Sequence, residues 1–202
     1  MARPREFDEA VVLDAAVECF WRQGYAATSL RDLIETTGLT CASLYNAFGD
    51  KRALFRLALD RYVEASVGER IRRCKTLPPR AAIAAFFDEI LTRSLDDRAH
   101  KGCMLVNSAL EVAPHDVEFR VVIVGVLTRI ERFFRECVEA GQADRTIPCA
   151  MSADDLARHL LGVLIGTRVL ARVRPDRALL EGVVAPALAL LDVAGDRPAT
   201  GR

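Results

Sequence analysis

Small polar side chains follow one another in a short segment of the chain near residue 40. Thr40 and Ser43 carry hydroxyl groups, Tyr45 a phenol, Asn46 an amide and Cys41 a thiol. Hydroxyl and amide groups form hydrogen bonds with base edges and phosphate oxygens, and small side chains let a backbone approach a groove closely. The segment therefore has the side chains for nucleic-acid recognition, provided that one helix presents them together.

A second kind of chemistry is available at Cys103. This cysteine is expected to open a helix, with Lys101 beside it and His100 nearby, and both the helix end and the cation favour a thiolate. The residue fits a reactive sensor, but a free cysteine is also commonly a small buried hydrophobic residue. A thiol-dependent enzyme would use Cys103 with His100, yet no acid partner, oxyanion loop or cofactor motif accompanies them. We therefore predict neither an enzyme nor a cofactor.

The histidines do not form a recognisable metal motif. His100 lies three residues before Cys103, while His115 and His159 stand apart in the sequence. A zinc site in a protein usually takes three or four side-chain ligands, and no second pair of residues completes this one. The sequence therefore predicts no metal site.

Composition is typical of a helical protein in a reducing compartment. The 202 residues include 28 basic and 28 acidic side chains, so the net charge does not indicate nucleic acid as a partner. Six cysteines are scattered without a C-x-x-C pair, and no apolar leader or bilayer-length apolar run is present. Ala, Leu, Arg and Glu, which favour helices, are abundant. We predict an all-α, cytoplasmic protein without a membrane segment.

Hydrophobic periodicity and capping residues predict about nine helices in two domains. A helix-turn-helix domain is expected over residues 1–56 and a larger domain over 57–194, joined by a long fourth helix, with a disordered tail over 195–202. The first four helices are predicted from Asp8 to Gly24, from Thr28 or Ser29 to Thr36, from Thr40 to Phe48, and from Asp50 to Arg73. The others are predicted at about 79–97, 102–113, 116–142, 152–172 and 176–191.

The second and third helices are too short to be stable alone in water, so packing must fix them. A shared apolar face can pack against Phe20 of the first helix, and it consists of Leu30, Leu33, Ile34, Leu39, Leu44 and Phe48. The polar residues near position 40 then remain on the outer side of the third helix. Two short helices joined at Gly38 are typical of a helix-turn-helix.

The same segment resembles the N-terminal domain of TetR-family regulators. The resemblance rests on the aromatic-Gly-aromatic-x-x-Thr opening that ends at Thr28 and on the Leu-Tyr-x-x-Phe-x-x-Lys run that ends at Lys51. It covers about the first quarter of the chain, and it implies a DNA-binding regulator. An interaction module that has lost DNA binding is the alternative, but it would leave this motif unexplained.

The resemblance also implies roles for single residues. Thr28 and Tyr45 would bind phosphates, Asn46 would add a backbone contact, and Lys51 would pair with a phosphate. Base edges would face Thr40, Cys41 and Ser43, although the family more often has a polar or basic residue where this chain has Cys41. The full candidate set for DNA is Thr28, Ser29, Thr40, Cys41, Ser43, Tyr45, Asn46 and Lys51.

The larger domain is expected to bind an inducer. The segment from Gly102 to Glu111 resembles the start of helix six in a TetR subgroup that responds to electrophiles, in which the cysteine matching Cys103 can be the sensor. Helical spacing also predicts an apolar pocket. Its lining would include Phe86, Phe87, Met104, Asn107, Val126 and Ile130, while Cys103 is the separate candidate for a sensor.

The last two predicted helices contain many apolar residues for elements near the end of a chain. Gly162 and Gly166, spaced four apart, permit close helix approach, and two such helices from each subunit would form a four-helix interface. We predict a homodimer that binds a palindromic operator; the alternative is that these helices only cover the core of one subunit. The predicted interface residues are Leu156, Leu160, Leu161, Leu164, Leu180, Val184 and Leu188.

Overall fold

The computed structural model describes residues 7–193, and this part of the chain is all α-helical, as predicted. The predicted tail at 195–202 lies outside the described residues. The described residues form nine helices, of which α4 has two α-helical parts, Lys51–Val63 and Glu69–Cys74. The other eight are α1 Glu9–Gln23, α2 Leu30–Thr37, α3 Cys41–Phe48, α5 Pro79–Leu95, α6 Met104–Glu111, α7 Val117–Ala143, α8 Ala153–Val173 and α9 Arg177–Ala189. None of the helices in this part of the chain is long and apolar enough to span a bilayer.

Side-chain caps explain where the short helices begin. Ser29, not Thr28, caps α2: its hydroxyl accepts a hydrogen bond from the Asp32 backbone, while the Asp32 carboxylate accepts one from the Ser29 backbone. A hydrogen bond from the Ser29 hydroxyl to the Asp32 carboxylate, together with the one from the Ser29 backbone, holds the pKa of Asp32 below its usual range. Thr40 and Asp50 cap α3 and α4 in the same way, so each boundary is fixed by a local polar contact.

One departure from the prediction lies inside α4. The sequence predicts a continuous α-helix, whereas Glu64–Gly68 form a π-helical turn between its two α-helical parts. The hydroxyl of Ser66 donates to the carbonyl of Tyr62 within this segment. Because Val63 and Val67 remain buried on one face, the apolar pattern does not distinguish a π turn from an α turn.

The chain divides into two compact units, and each unit draws on two separate segments of the sequence. Residues up to Val67 group with Cys103–Ile123, so α6 and the start of α7 belong with the N-terminal helices. Aromatic rings form the centre of this first unit. The Phe55 ring lies 5.0 Å from the Phe20 ring, 4.8 Å from the Tyr25 ring and 5.2 Å from the Phe119 ring.

The second unit consists of Gly68–Gly102 and the residues from Val124 onward. In it, α5 packs against both α8 and α9, and those two helices pack against each other. Phe86 and Phe87 on α5 contact the Phe134 ring on α7, at centroid distances of 5.1 and 5.7 Å. This aromatic core makes the second unit a helical bundle of its own.

Truncating the central ring of the first unit tests this description of its core. Phe55→Ala should lower the free energy of unfolding by about 3–5 kcal/mol, because the side chain is 2% exposed and its removal leaves a cavity. Leu57→Ala, at a position of α4 that is 40% exposed, is the control and should cost about 1 kcal/mol or less. Urea unfolding at one protein concentration measures both, and equal losses would contradict the assigned core.

Candidate nucleic-acid interface

A tight turn joins α2 to α3. Gly38 ends α2 in the left-handed region at φ +71°, a conformation that glycine adopts without strain, and its backbone N–H donates to the Ile34 carbonyl at 2.9 Å. Leu33 on α2 and Leu44 on α3 are buried, so both helices contribute to the core of the first unit. The arrangement is the helix-turn-helix that the sequence predicts.

The outer side of α3 carries the polar residues that the sequence places there. Thr40, Cys41 and Asn46 are exposed, and Tyr45 is 44% exposed, while Ser43 is half-buried. Two of these side chains also support the start of the helix: the Thr40 hydroxyl accepts a hydrogen bond from the Ser43 backbone at 3.2 Å and donates one to the Ser43 hydroxyl at 3.0 Å. The exposed row is therefore held on a capped, positioned helix.

Thr28 is not part of this surface, and its predicted phosphate contact is wrong for the side chain. The residue is fully buried, and its hydroxyl donates to the Gly24 carbonyl at 2.6 Å. This hydrogen bond satisfies the hydroxyl inside the turn between α1 and α2. Ser29, the next residue, is exposed, but its hydroxyl takes part in the cap of α2.

Lys51 lies at the start of α4, against the turn between α1 and α2. Its ammonium group is 4.6 Å from the centre of the Tyr25 ring and 3.5 Å from the Ala26 carbonyl oxygen. A cation at this distance from an aromatic ring is attracted to its face. The positive charge is thus placed beside the turn that leads into α2.

Two groups of carboxylates contact the helix-turn-helix, and the sequence analysis missed both. Arg52 donates to Asp116 at 2.9 and 3.1 Å and to Glu118 at 2.6 Å, and the guanidinium lowers the pKa of the Asp116 carboxyl. Glu111 accepts hydrogen bonds from the backbone N–H groups of Tyr25 and Ala26. The partners are more than 60 residues apart in sequence, so no local spacing indicates these contacts.

Cys103 is the N-cap residue of α6 and is half-buried. Its sulfur accepts a hydrogen bond from the Tyr62 hydroxyl, with the two atoms 3.6 Å apart. The Tyr62 ring packs edge-on against Trp21 at 5.0 Å. Tyr62 is a further residue that the sequence analysis missed, because it lies 41 residues from Cys103 in the sequence and no local spacing relates the two.

Other cysteines in the described part of the chain differ in their surroundings. Burial raises the pKa of the Cys19 and Cys74 thiols, and it raises the pKa of Cys137 to about 11. Cys41 and Cys149 are exposed. Within residues 7–193, no three His, Cys, Asp or Glu side chains come together as they would to hold a metal ion.

The residues predicted to line a ligand pocket are divided between the two units. Phe86, Phe87 and Ile130 are buried in the core of the second unit, where Val126 is half-buried. The remaining two belong to the first unit: Met104 is buried and Asn107 is half-buried. A common pocket for the whole set stays a prediction.

Most of the residues predicted to form a dimer interface are instead core residues of one chain. Five of them are 5% exposed or less before any partner is added, because they pack where α5, α8 and α9 meet: Leu156, Leu160, Leu164, Leu180 and Val184. These five cannot supply a contact surface, which corrects that part of the prediction. Leu161 and Leu188 are half-buried and still reach the surface.

Both parts of the chain match known protein families. Residues 12–58 match the bacterial regulatory proteins of the tetR family, and residues 79–185 match the tetracyclin repressor-like C-terminal domain. The first match contains all of α2 and α3, and the second extends from α5 into α9.

Two known regulators are similar in sequence to most of this chain. The uncharacterized HTH-type transcriptional regulator YezE of Bacillus subtilis is 33% identical over 196 residues, covering 95% of this chain and 100% of YezE. The HTH-type transcriptional repressor ComR of Escherichia coli is 31% identical over 172 residues, covering 84% of this chain and 82% of ComR.

A solved structure gives the same result in three dimensions. The TetR-family transcriptional regulator CifR, as a cysteine mutant complexed with 26-bp double-strand operator DNA, is 34% identical and superposes with a TM-score of 0.82. The match covers 93% of this chain and 98% of the CifR chain. With the helix-turn-helix in place and both halves matched, the chain belongs to the TetR family of bacterial transcriptional regulators.

Proposed function

We propose that this regulator is a repressor that binds a palindromic operator as a homodimer and leaves it when an inducer binds or modifies the protein. The observation that carries the proposal is the exposed polar row on α3, held outward by the buried Leu44 and Phe48. Two relatives support it, since ComR is named a repressor and the CifR structure contains operator DNA.

In this proposal, α3 enters the major groove and reads base edges with Thr40, Cys41 and Ser43. The phenol of Tyr45 and the amide of Asn46 bind phosphates on either side. Ser29 brings the N-terminus of α2 to the backbone, where its partial positive charge attracts a phosphate. Lys51 turns from the Ala26 carbonyl toward a phosphate when DNA arrives, because its 3.5 Å contact there is long.

Removing single phosphate contacts tests this assignment. Tyr45→Phe and Lys51→Ala should each weaken operator binding and flatten the dependence of log K on log salt by about one unit, because each removes about one phosphate contact. Lys75→Ala is the matched control for charge, since this lysine is exposed and pairs with Glu136 in the second unit. Binding measured by fluorescence anisotropy over a salt series, with unchanged slopes in both variants, would contradict the proposal.

The proposed dimer contact uses the outward side of α8 and α9. On α8, Gly162 and Gly166 have open space where a side chain would be, and Val169 and Val173 continue the same face at 38% and 80% exposure. Gly182 on α9 is equally open. Small residues let two helices approach closely, so a second copy can cover the exposed valines and form a four-helix interface.

Charge on this face should separate the subunits. Gly166→Glu and Leu161→Glu are expected to give monomers that no longer bind the operator, whereas wild type is a dimer with its recognition helices about 34–36 Å apart. Leu77→Glu is the control, because Leu77 lies between α4 and α5 and is 42% exposed. Sedimentation velocity measures the association state, and monomeric wild-type protein at micromolar concentration would overturn the proposal.

Cys103 is the proposed sensor within this function. A hydrogen bond from the Tyr62 hydroxyl would stabilise a thiolate at the sulfur. The partial positive charge at the N-terminal end of α6 would favour the same negative charge. The thiolate would add to an electrophilic carbon of a quinone or an unsaturated aldehyde, forming a carbon–sulfur bond while the carbon acceptor takes up a proton. The added group would displace the first turn of α6.

Three variants separate the sensor from other thiols. Cys103→Ser should keep operator binding but lose release by a quinone, while Cys41→Ser should be released like wild type. Tyr62→Phe should react more slowly, since it lacks the hydroxyl that contacts the sulfur. Trp21 is the single tryptophan and packs against Tyr62, so its fluorescence should change as wild type reacts.

The outcomes are distinct. Release of Cys103→Ser at the wild-type rate would move the sensor elsewhere, with exposed Cys41 in the reading helix tested next. Failure of every electrophile to release wild type would instead favour an apolar inducer that binds without a covalent bond.

A further inference from the structure

Glu111 ends α6 with its carboxylate directed at the turn between α1 and α2. One carboxylate oxygen accepts the Tyr25 backbone N–H at 3.1 Å and the other accepts the Ala26 backbone N–H at 2.7 Å. Gly24, the residue before them, has φ +85°, and a Cβ there would lie 2.7 Å from the carboxylate. Three successive residues of the turn therefore face one acidic side chain.

Two carbonyl oxygens of the turn also accept hydrogen bonds from side chains. The Ala26 carbonyl accepts from Lys51, and the Gly24 carbonyl accepts from the buried Thr28 hydroxyl. Glu111 thus holds the turn through the N–H groups of Tyr25 and Ala26, and the Thr28 hydroxyl holds it through the Gly24 carbonyl. The turn leads directly into Ser29, the cap of α2, so its position determines where α2 begins.

The location of this acid is unfavourable for α6 itself. The C-terminal end of a helix carries partial negative charge, so a carboxylate there destabilises the helix, and no basic residue in the last turn offsets it. Hydrogen bonds from two N–H groups to a carboxylate are stronger than neutral ones. The favourable interaction of Glu111 is therefore with the turn and not with its own helix.

We propose that Glu111 is the positioning residue through which α6 holds the α1–α2 turn, and with it α2 and α3, in the orientation that binds DNA. This inference rests on the proposed function, because it assigns a part of regulated operator binding. The helix that ends at Glu111 is capped by Cys103 and spans eight residues, about 12 Å. In this proposal, a shift of α6 produced at Cys103 reaches the turn through the Glu111 carboxylate.

The sign of the effect on operator affinity makes the proposal testable. Removing a negative charge near a DNA-binding surface should strengthen binding if the charge acts only through electrostatic repulsion. Loss of the positioning contact should instead weaken binding, by about tenfold for Glu111→Ala, within the usual range of coupling between sites. Glu111→Gln keeps an acceptor oxygen and should bind with intermediate affinity.

The experiment measures two properties of the full-length protein with an operator selected by wild type from random duplexes. Amide hydrogen exchange should be faster at Tyr25 and Ala26 in Glu111→Ala, and the operator Kd should rise. Glu139→Ala changes the net charge equally at an exposed position and should alter neither property. Circular dichroism confirms folding, and Glu111→Gln provides the comparison if the alanine variant unfolds.

The results for hydrogen exchange and operator binding distinguish the role of Glu111 from the proposed function. Faster exchange at the turn together with unchanged or tighter operator binding would overturn the role of Glu111 while leaving the proposed function intact. Unchanged exchange would show that the carboxylate does not hold the turn, and it would overturn the proposal as well. Failure of wild type to select any DNA would instead remove the proposed function and this inference with it.

Discussion

The packing of three aromatic rings around Phe55 is the contact on which the first unit depends. The rings of Phe20, Tyr25 and Phe119 come from α1, from the turn that follows it and from the start of α7. Two helices of eight residues each have little stability of their own, so they need a fixed surface against which to pack. The helices that hold Phe20 and Phe55 provide that surface, since α2 packs against α1 and α3 packs against α4, while the outer side of α3 stays exposed.

The same cluster brings distant polar groups to the turn between α1 and α2. Phe119 lies just beyond Asp116 and Glu118, so burying its ring places both carboxylates beside Arg52. Tyr25 contributes its ring to the core and its backbone N–H to Glu111. Burial of the Phe119 ring and the ion pairs of Arg52 therefore occur together, because the same short segment of the chain carries the ring and both carboxylates.

Features that depend on neighbouring residues, such as the ends of helices, could be predicted from the sequence. Ser29, Thr40 and Asp50 begin helices because their side chains cap the following backbone, and Gly38 ends one because it tolerates the left-handed region. The all-α fold and the exposed row on α3 follow from such signals, whereas the family follows from the resemblance of the motif that ends at Lys51. Thr28 shows their limit, since a hydroxyl suited to a phosphate is equally suited to the Gly24 carbonyl, and only the fold decides between them.

Long-range contacts were not predictable in the same way. Apolar residues that recur every four positions on α8 and α9 indicate a buried face, but their pattern is the same whether a second helix of the same chain or a partner subunit covers that face. Leu160 and Leu180, both fully buried in one chain, show that the first case applies. The acids near the helix-turn-helix gave no signal, because nothing in their neighbourhood relates residue 111 to residue 25.

The π-helical turn in α4 has a consequence for how this family member tolerates change in chain length. A π turn closes hydrogen bonds over five residues where an α turn uses four, so it holds one residue more than the helix requires. Loss of one residue between Glu64 and Gly68 would restore a plain α-helix there. Elsewhere in α4, a single deletion would rotate every following side chain by about 100° and expose the buried face. Within α4, a deletion of one residue is therefore accommodated best at this turn.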